Sequence, residues 1–209
     1  MNRRWVSVLA GCAAVISLAA CKYPELPQLG GPSDATGQVD GSTIDASLTD
    51  AGMIEQSCAG YCGAIATNCT GSNAMYGSQA LCMATCALWP AGTMGETTGI
   101  TRACHIYHAG AAASSPAIHC RHAGPGGDGQ CGDNCQGFCT IVLGACGSSP
   151  YPTATDCITA CNGFIQNPQY NALQTTGNTF ACRLYHATAA AAQPAAHCPH
   201  TAPNSAICQ

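Results

Sequence analysis

A chain of 209 residues has room for one ordinary domain or two small ones. Only 8% of it is charged and 6% aromatic, and its 47% apolar fraction leans on Ala and Cys, which excludes a large conventional core; 18 cysteines point instead to a disulfide framework in an oxidising compartment rather than to a cytosolic enzyme. The formal net charge is −4 and no basic patch occurs, so no nucleic-acid partner is expected.

Residues 1–20 read as a signal peptide. Arg3 and Arg4 form a positive start, and Trp5 to Ala20 is an apolar run too short for a comfortable membrane span. The run ends Leu18-Ala19-Ala20-Cys21, which resembles the lipobox of bacterial lipoproteins. The resemblance implies cleavage before Cys21, diacylation of its thiol (with palmitate as a typical chain) and acylation of the new amino terminus. Three acyl chains exceed what stable anchoring needs. Lys22 follows the cysteine where an inner-membrane retention signal would carry Asp, so the expected destination is the outer membrane, lipid-anchored, on its periplasmic or cell-surface leaflet. With Arg3 and Arg4 removed, four cations face ten acids, and six of those acids lie between Glu25 and Glu55.

Residues 21–57 carry Pro, Gly, Ser, Thr and Asp without apolar periodicity, the composition of a disordered linker. A flexible chain of about 35 residues reaches roughly 30–35 Å, enough to hold a folded part clear of the headgroups.

From Cys58 the sequence repeats. Cys58, Cys62, Cys69, Cys82, Cys86, Cys104, Cys120 and Cys131 form one series, and Cys135, Cys139, Cys146, Cys157, Cys161, Cys182, Cys198 and Cys208 form the other. Each opens Cys-x3-Cys-x6-Cys and continues with a second Cys-x3-Cys. Trp89 and Phe164 each follow that second pair by three, and Thr97-Thr98-Gly99-x-Thr101-x-Ala103-Cys104 matches Thr175-Thr176-Gly177-x-Thr179-x-Ala181-Cys182. This is an internal duplication, with modules at 58–134 and 135–209 joined by a short Gly-rich turn at Gly124–Gly129.

Cysteines four apart stack on one helix face, so two antiparallel helices would bridge as a ladder. The ladder predicts Cys58–Cys86 with Cys62–Cys82, and Cys135–Cys161 with Cys139–Cys157, an arrangement similar to other twin Cys-x3-Cys helical hairpins. For the remaining four of each module the favoured pairs are Cys69–Cys104 with Cys120–Cys131, and Cys146–Cys182 with Cys198–Cys208; other connectivities stay open. Thr101 to Ser114 is Ala-rich and predicts a third helix with Cys104, His108 and Ala112 on one face. Ser115-Pro116 has the form of an N-cap and first helical position opening a short helix through Cys120. Thr179–Ala192 and Pro194–His200 repeat the design. Strand signals are weak, so the expected fold class is small, all-α and disulfide-rich: two tandem helical modules, each a twin Cys-x3-Cys hairpin plus a third helix.

All seven histidines lie in the third-helix regions. His108, His119 and His122 recur as His186, His197 and His200. Imidazole suits zinc, copper, nickel and iron, and three imidazoles without a fourth protein ligand would leave an open position, with Tyr107 or Tyr185 as an outer partner. The competing reading is packing: in a scaffold poor in large side chains, His and Tyr fill polar gaps around the bridges. His105 stands where the second copy has Arg183 and is expected at the surface. Thiolate zinc sites suit reducing compartments, and no Cys-x-x-Cys-His offers covalent haem attachment.

No nucleophile elbow, phosphate loop, His-Glu-x-x-His or EF-hand loop occurs, and Glu96, Asp128, Asp133 and Asp156 do not suggest a catalytic carboxylate pair. The duplicated part also resembles modules of exported bacterial proteins with a Cys-Arg-x-Tyr-His … His-Cys-x-His pattern, carried best by Cys182-Arg183-Leu184-Tyr185-His186 and His197-Cys198-Pro199-His200; no activity comes with that resemblance. The expectation is therefore a lipid-anchored envelope protein, non-enzymatic, with a structural or interaction role and an envelope protein as partner, and with no cofactor. The alternative is a metal- or haem-binding accessory or redox protein using the repeated histidines for copper, zinc or haem. An enzyme built on an open three-His site ranks third. Solvent exposure of Trp89 and Phe164 would mark them as a contact site, and burial as core.

Overall fold

The structure, a computed structural model, describes residues 56–209. Cys21, the signal region and all of the linker before Gln56 lie outside the described residues.

The described residues are all-helical and disulfide-rich, with no strand among them. Eight α-helices follow one another: α1 (Cys58–Asn68), α2 (Gln79–Cys86), α3 (Arg102–Ala111), α4 (Pro116–Ala123), α5 (Asn134–Cys146), α6 (Ala154–Asn162), α7 (Phe180–Ala192) and α8 (Pro194–His197), the last running into a 3-10 turn at Cys198–Thr201. Their starts are set locally. Ser57, Ser78 and Thr153 cap α1, α2 and α6 by accepting from the backbone N–H three residues on, and Asp133 and Gln136 form a reciprocal capping box on α5.

The two ladders form as the spacing predicts, with bridges Cys58–Cys86 and Cys62–Cys82 between α1 and α2, and Cys135–Cys161 and Cys139–Cys157 between α5 and α6. The other four bridges are Cys69–Cys120, Cys104–Cys131, Cys146–Cys198 and Cys182–Cys208, which corrects the pairings expected from sequence. The reason is helix direction. Tyr61 near the start of α1 meets His105 near the start of α3, while Asn68 at the end of α1 donates to the carbonyl of Ala109 near the end of α3. The two helices thus run parallel. Cys104, the third residue of α3, lies toward the opposite end from Cys69, roughly 10 Å away along the helix axis. Cys69 instead meets α4, and Cys104 meets the Gly-rich turn, held there by the Gly99 N–H donating to the Gln130 carbonyl.

The core follows from this covalent frame. In the first module Tyr61, Ile65, Met75, Trp89 and Ile106 fill the space around the half-cystines; in the second, Phe138, Ile141, Val142, Phe180 and Leu184 do so. Trp89 is only 3% exposed and serves as core, not as a contact site. Phe164 is half-buried beneath the Arg183 guanidinium, 4.2 Å above its ring.

His105, expected at the surface, is fully buried: it stacks on Trp89 at 3.6 Å with the rings 6° from parallel, and its Nδ1 donates to the Ala123 carbonyl at 3.2 Å. Arg183 is buried too, donating to the carbonyls of Thr179, Ala202 and Pro203 and to Asn178 Oδ1. Each is the cationic or imidazole partner of an aromatic ring, and each ties its long helix to the chain that follows the His-Cys-x-His segment.

The modules pack on each other through α2 and α7. Gly77 faces the Tyr185 ring, and Leu88 lies against α5 at Gly144. The loop before α7 reaches back: Tyr170 Oη donates to the Met75 carbonyl at 3.0 Å, and Asn171 Nδ2 donates to the Gly71 and Ser72 carbonyls.

Candidate metal centre

The recurring Thr-Thr-Gly-x-Thr-x-Ala-Cys motif builds one side of the centre. The third threonine, Thr101, caps α3 by accepting from the Cys104 N–H at 3.2 Å; Thr179 does the same for Cys182 at 3.1 Å. Gly99 and Gly177 turn the preceding chain at φ +89° and +94°, a conformation open to glycine and costly to other residues. That turn aims the carbonyl of Thr97, or Thr175, at the helix. One turn beyond each half-cystine, His108 and His186 receive it: His108 Nε2 donates to Thr97 O at 3.0 Å, and His186 Nε2 to Thr175 O at 3.1 Å.

The other side comes from the returning segment. Pro116 starts α4 at its first position; Ser115 holds the N-cap position, but its side chain makes no capping bond. The bridge Cys69–Cys120 pins α4 so that His119 and His122, three apart, turn toward His108. In the second module Pro199 stands where the first has Arg121. Proline has no N–H, and here the helix gives way to a 3-10 turn at Cys198–Thr201. Cys146–Cys198 still pins the segment, and His197 and His200 arrive in the same places.

The two triads are near copies. His108 to His119 and His186 to His197 both measure 5.2 Å between ring centroids, with planes 24° and 27° apart. The third rings stand 4.9 Å from His108 and 4.6 Å from His186, in both cases edge-on. His108 Nδ1 lies 3.0 Å from His119 Nδ1; His186 Nδ1 lies 3.0 Å from His197 Nδ1 and 3.3 Å from His200 Nδ1. His122 Nδ1 is buried with no hydrogen-bond partner. Within each triad a nitrogen from every imidazole lies within 4.8 Å of the others. All six sequence-predicted histidines are therefore brought together, three and three.

Protonation follows from the partners. A carbonyl only accepts, so Nε2 of His108 and of His186 carries the proton, and in the neutral ring Nδ1 presents its lone pair to the centre. Burial holds His108, His122 and His197 below the ordinary imidazole range, and brings His186 down to about 4. The backbone bonds from His108 and His186 oppose that shift without overcoming it. The neutral, ligating form prevails near neutral pH.

A purely structural account leaves part of this unexplained. His119 Nδ1–H donating to His108 Nδ1 satisfies two imidazoles, but the third also aims at the same point, and one lone pair cannot accept two well-aligned bonds. A tetrahedral ion with bonds of about 2.0–2.1 Å holds neighbouring nitrogens roughly 3.3–3.4 Å apart, close to what is seen. The carbonyl bonded to the far side of His108 and His186 is the usual outer partner of a ligating histidine. Neither Tyr107 nor Tyr185 takes that role; their rings stand edge-on to His108 and His186 at 5.1 Å. Nitrogens 3.0 Å apart leave no space for a porphyrin between them, so the arrangement suits a bare ion and not haem.

Cys104 and Cys131 also lie near His108, and Cys182 and Cys208 near His186. Their sulfurs are bridged, so no thiolate is offered there. The Thr97 and Thr175 carbonyls were not singled out from sequence, although the repeated threonine motif was their signal.

A family model described as the BfoA family C-terminal domain matches residues 35–136, just under half of the chain and including the first module's helices. No curated protein and no solved structure matches the chain.

Proposed function

We propose that this is a lipid-anchored protein of the bacterial envelope that binds transition-metal ions at two repeated three-histidine centres, and that its role is to hold and pass on such ions rather than to catalyse a reaction. The observation that carries the reading is the convergence of three imidazole nitrogens in each module, with the tautomer of His108 and of His186 fixed by a backbone carbonyl. Neutral nitrogen donors suit copper(II), nickel and zinc. One histidine of each triad is buried and two are half-exposed, so an ion is anchored from below and reachable from above, with a fourth position for water or a donor group.

The Leu18-Ala19-Ala20-Cys21 motif and the linker support the placement on a membrane, and the eight bridges support an oxidising envelope compartment. Such a compartment takes the cysteines out of use as ligands, which leaves histidine as the donor. Calorimetric titration of the exported, oxidised chain with zinc and with copper(II) tests the reading. Two sites are expected, with His108→Ala abolishing one and His186→Ala the other. Titrations that show no saturable binding of either ion would overturn it.

A further inference from the structure

The seam between the modules carries a second feature, on the side of α4 turned away from the triad. Two adjoining cavities of 230 and 390 Å³ share Met75, Arg121, Gln169 and Tyr170 as walls. Side by side they reach the size of small-molecule sites, about 300–1,000 Å³. The first has an apolar floor of Met75, Phe180 and Leu184, all at most 2% exposed.

Its rim is made of amides. Asn134, Asn167 and Gln169 line the first cavity, and Asn73 and Gln169 the second. The side chains of these four residues take no protein hydrogen-bond partner, whereas Gln166 and Asn171 beside them are tied to backbone groups. The charges are self-contained: Arg121 and Asp128 are the charged residues on either wall, and they pair at 3.6 Å.

We infer that this groove binds a neutral oligosaccharide. A carboxamide offers one acceptor and two donors side by side, which matches neighbouring sugar hydroxyls that each donate and accept. The C–H faces of the ring would rest on Tyr170, the partly exposed aromatic that lines both cavities, while the buried floor beneath holds the walls in place. A phosphate or carboxylate ligand finds no unneutralised cation, and a wholly apolar ligand would strip water from the free amides without replacing it. An extended peptide would call for main-chain groups in a row, and no strand edge is present among the described residues. Placement across the seam also explains why the loop around Tyr170 is bonded into the first module: it fixes the groove's two walls relative to each other. This inference does not depend on metal binding.

The test is a titration of the oxidised full chain with chitotetraose, cellotetraose and maltotetraose up to about 10 mM, followed by chemical-shift or calorimetric readout. At least one tetrasaccharide is expected to saturate, and Gln169→Ala combined with Asn134→Ala to weaken it by about tenfold or more. Gln169 is exposed and Asn134 half-buried, so the variant keeps its cystine map and helix content. Failure of all three sugars to bind would overturn the inference. So would binding unchanged in the variant, or tighter binding of acetyl-tetraglycine amide through the same residues.

Discussion

Replacing the pair Cys69 and Cys120 by serine should separate the fold from the metal centre. The bridge closes 51 residues, against 20 for Cys62–Cys82. Loop-closure entropy gives about 4 kcal/mol for the first and about 3.3 kcal/mol for the second at 25 °C. The stability losses should thus be similar. The metal consequences should not be. Cys120 sits between His119 and His122 on a helix of eight residues, so its bridge fixes the segment that carries both ligands, whereas Cys62 and Cys82 join α1 to α2 within the core. C69S/C120S should weaken zinc binding at the first-module centre by about 10–100-fold, the size of effect seen when a ligand loses its support. The second centre should be untouched. C62S/C82S should leave both centres intact despite its stability loss. Urea unfolding under non-oxidising, non-reducing conditions supplies the first quantity, and zinc competition against a chromogenic chelator the second. Equal zinc affinity at both centres in C69S/C120S would refute the idea that this bridge positions the ligands.

Acid should destabilise the metal-free protein. His105, His108, His122, His186 and His197 all have folded-state pKa values lowered mainly by burial, His105 to about 3 and His186 to about 4. The unfolded chain therefore binds more protons below about pH 6.5, so the stability these groups contribute is complete above that value and is lost as pH falls toward 3. Urea midpoints measured with chelator at pH 7.5 and pH 4.5 check this, and equal midpoints would contradict it. Gly99→Ala, at φ +89°, should cost about 1–2 kcal/mol and weaken zinc at the first centre, because the Thr97 carbonyl moves with the turn; binding at full strength would argue against the carbonyl's role. Trp89→Ala should cost about 3–5 kcal/mol as a core truncation, read by thermal unfolding; a loss below about 1 kcal/mol would mean that the ring is not core.

The helical ladder was legible because its signal is local: cysteines four apart can only bridge in a few ways once they lie on helices. The third helix and its return at Pro116 were legible for the same reason. The outer bridges were not, since Cys69–Cys104 and Cys69–Cys120 differ only in whether α3 runs parallel or antiparallel to α1, and spacing carries no direction. Taken alone, the exchange of His105 for Arg183 between the copies suggests a surface position, and the structure buries both. The aromatic partner changes with it, Trp89 with His105 and Phe164 with Arg183, and that paired change was the clue to burial. The six triad histidines were visible as a repeat. Their convergence was not, because it depends on bridges whose partners had to be known first. The amide groove is assembled from five separate segments and has no local trace.

Metal content is the most direct test of the central claim. Protein matured in a periplasm and purified without chelator should carry two transition-metal ions per chain by elemental analysis. His119→Ala and His197→Ala should each lower that to one, and the double variant to none, with all eight bridges retained. Wild-type protein that stays metal-free after equilibration with zinc or copper(II), or a double variant that keeps both ions, would contradict the account.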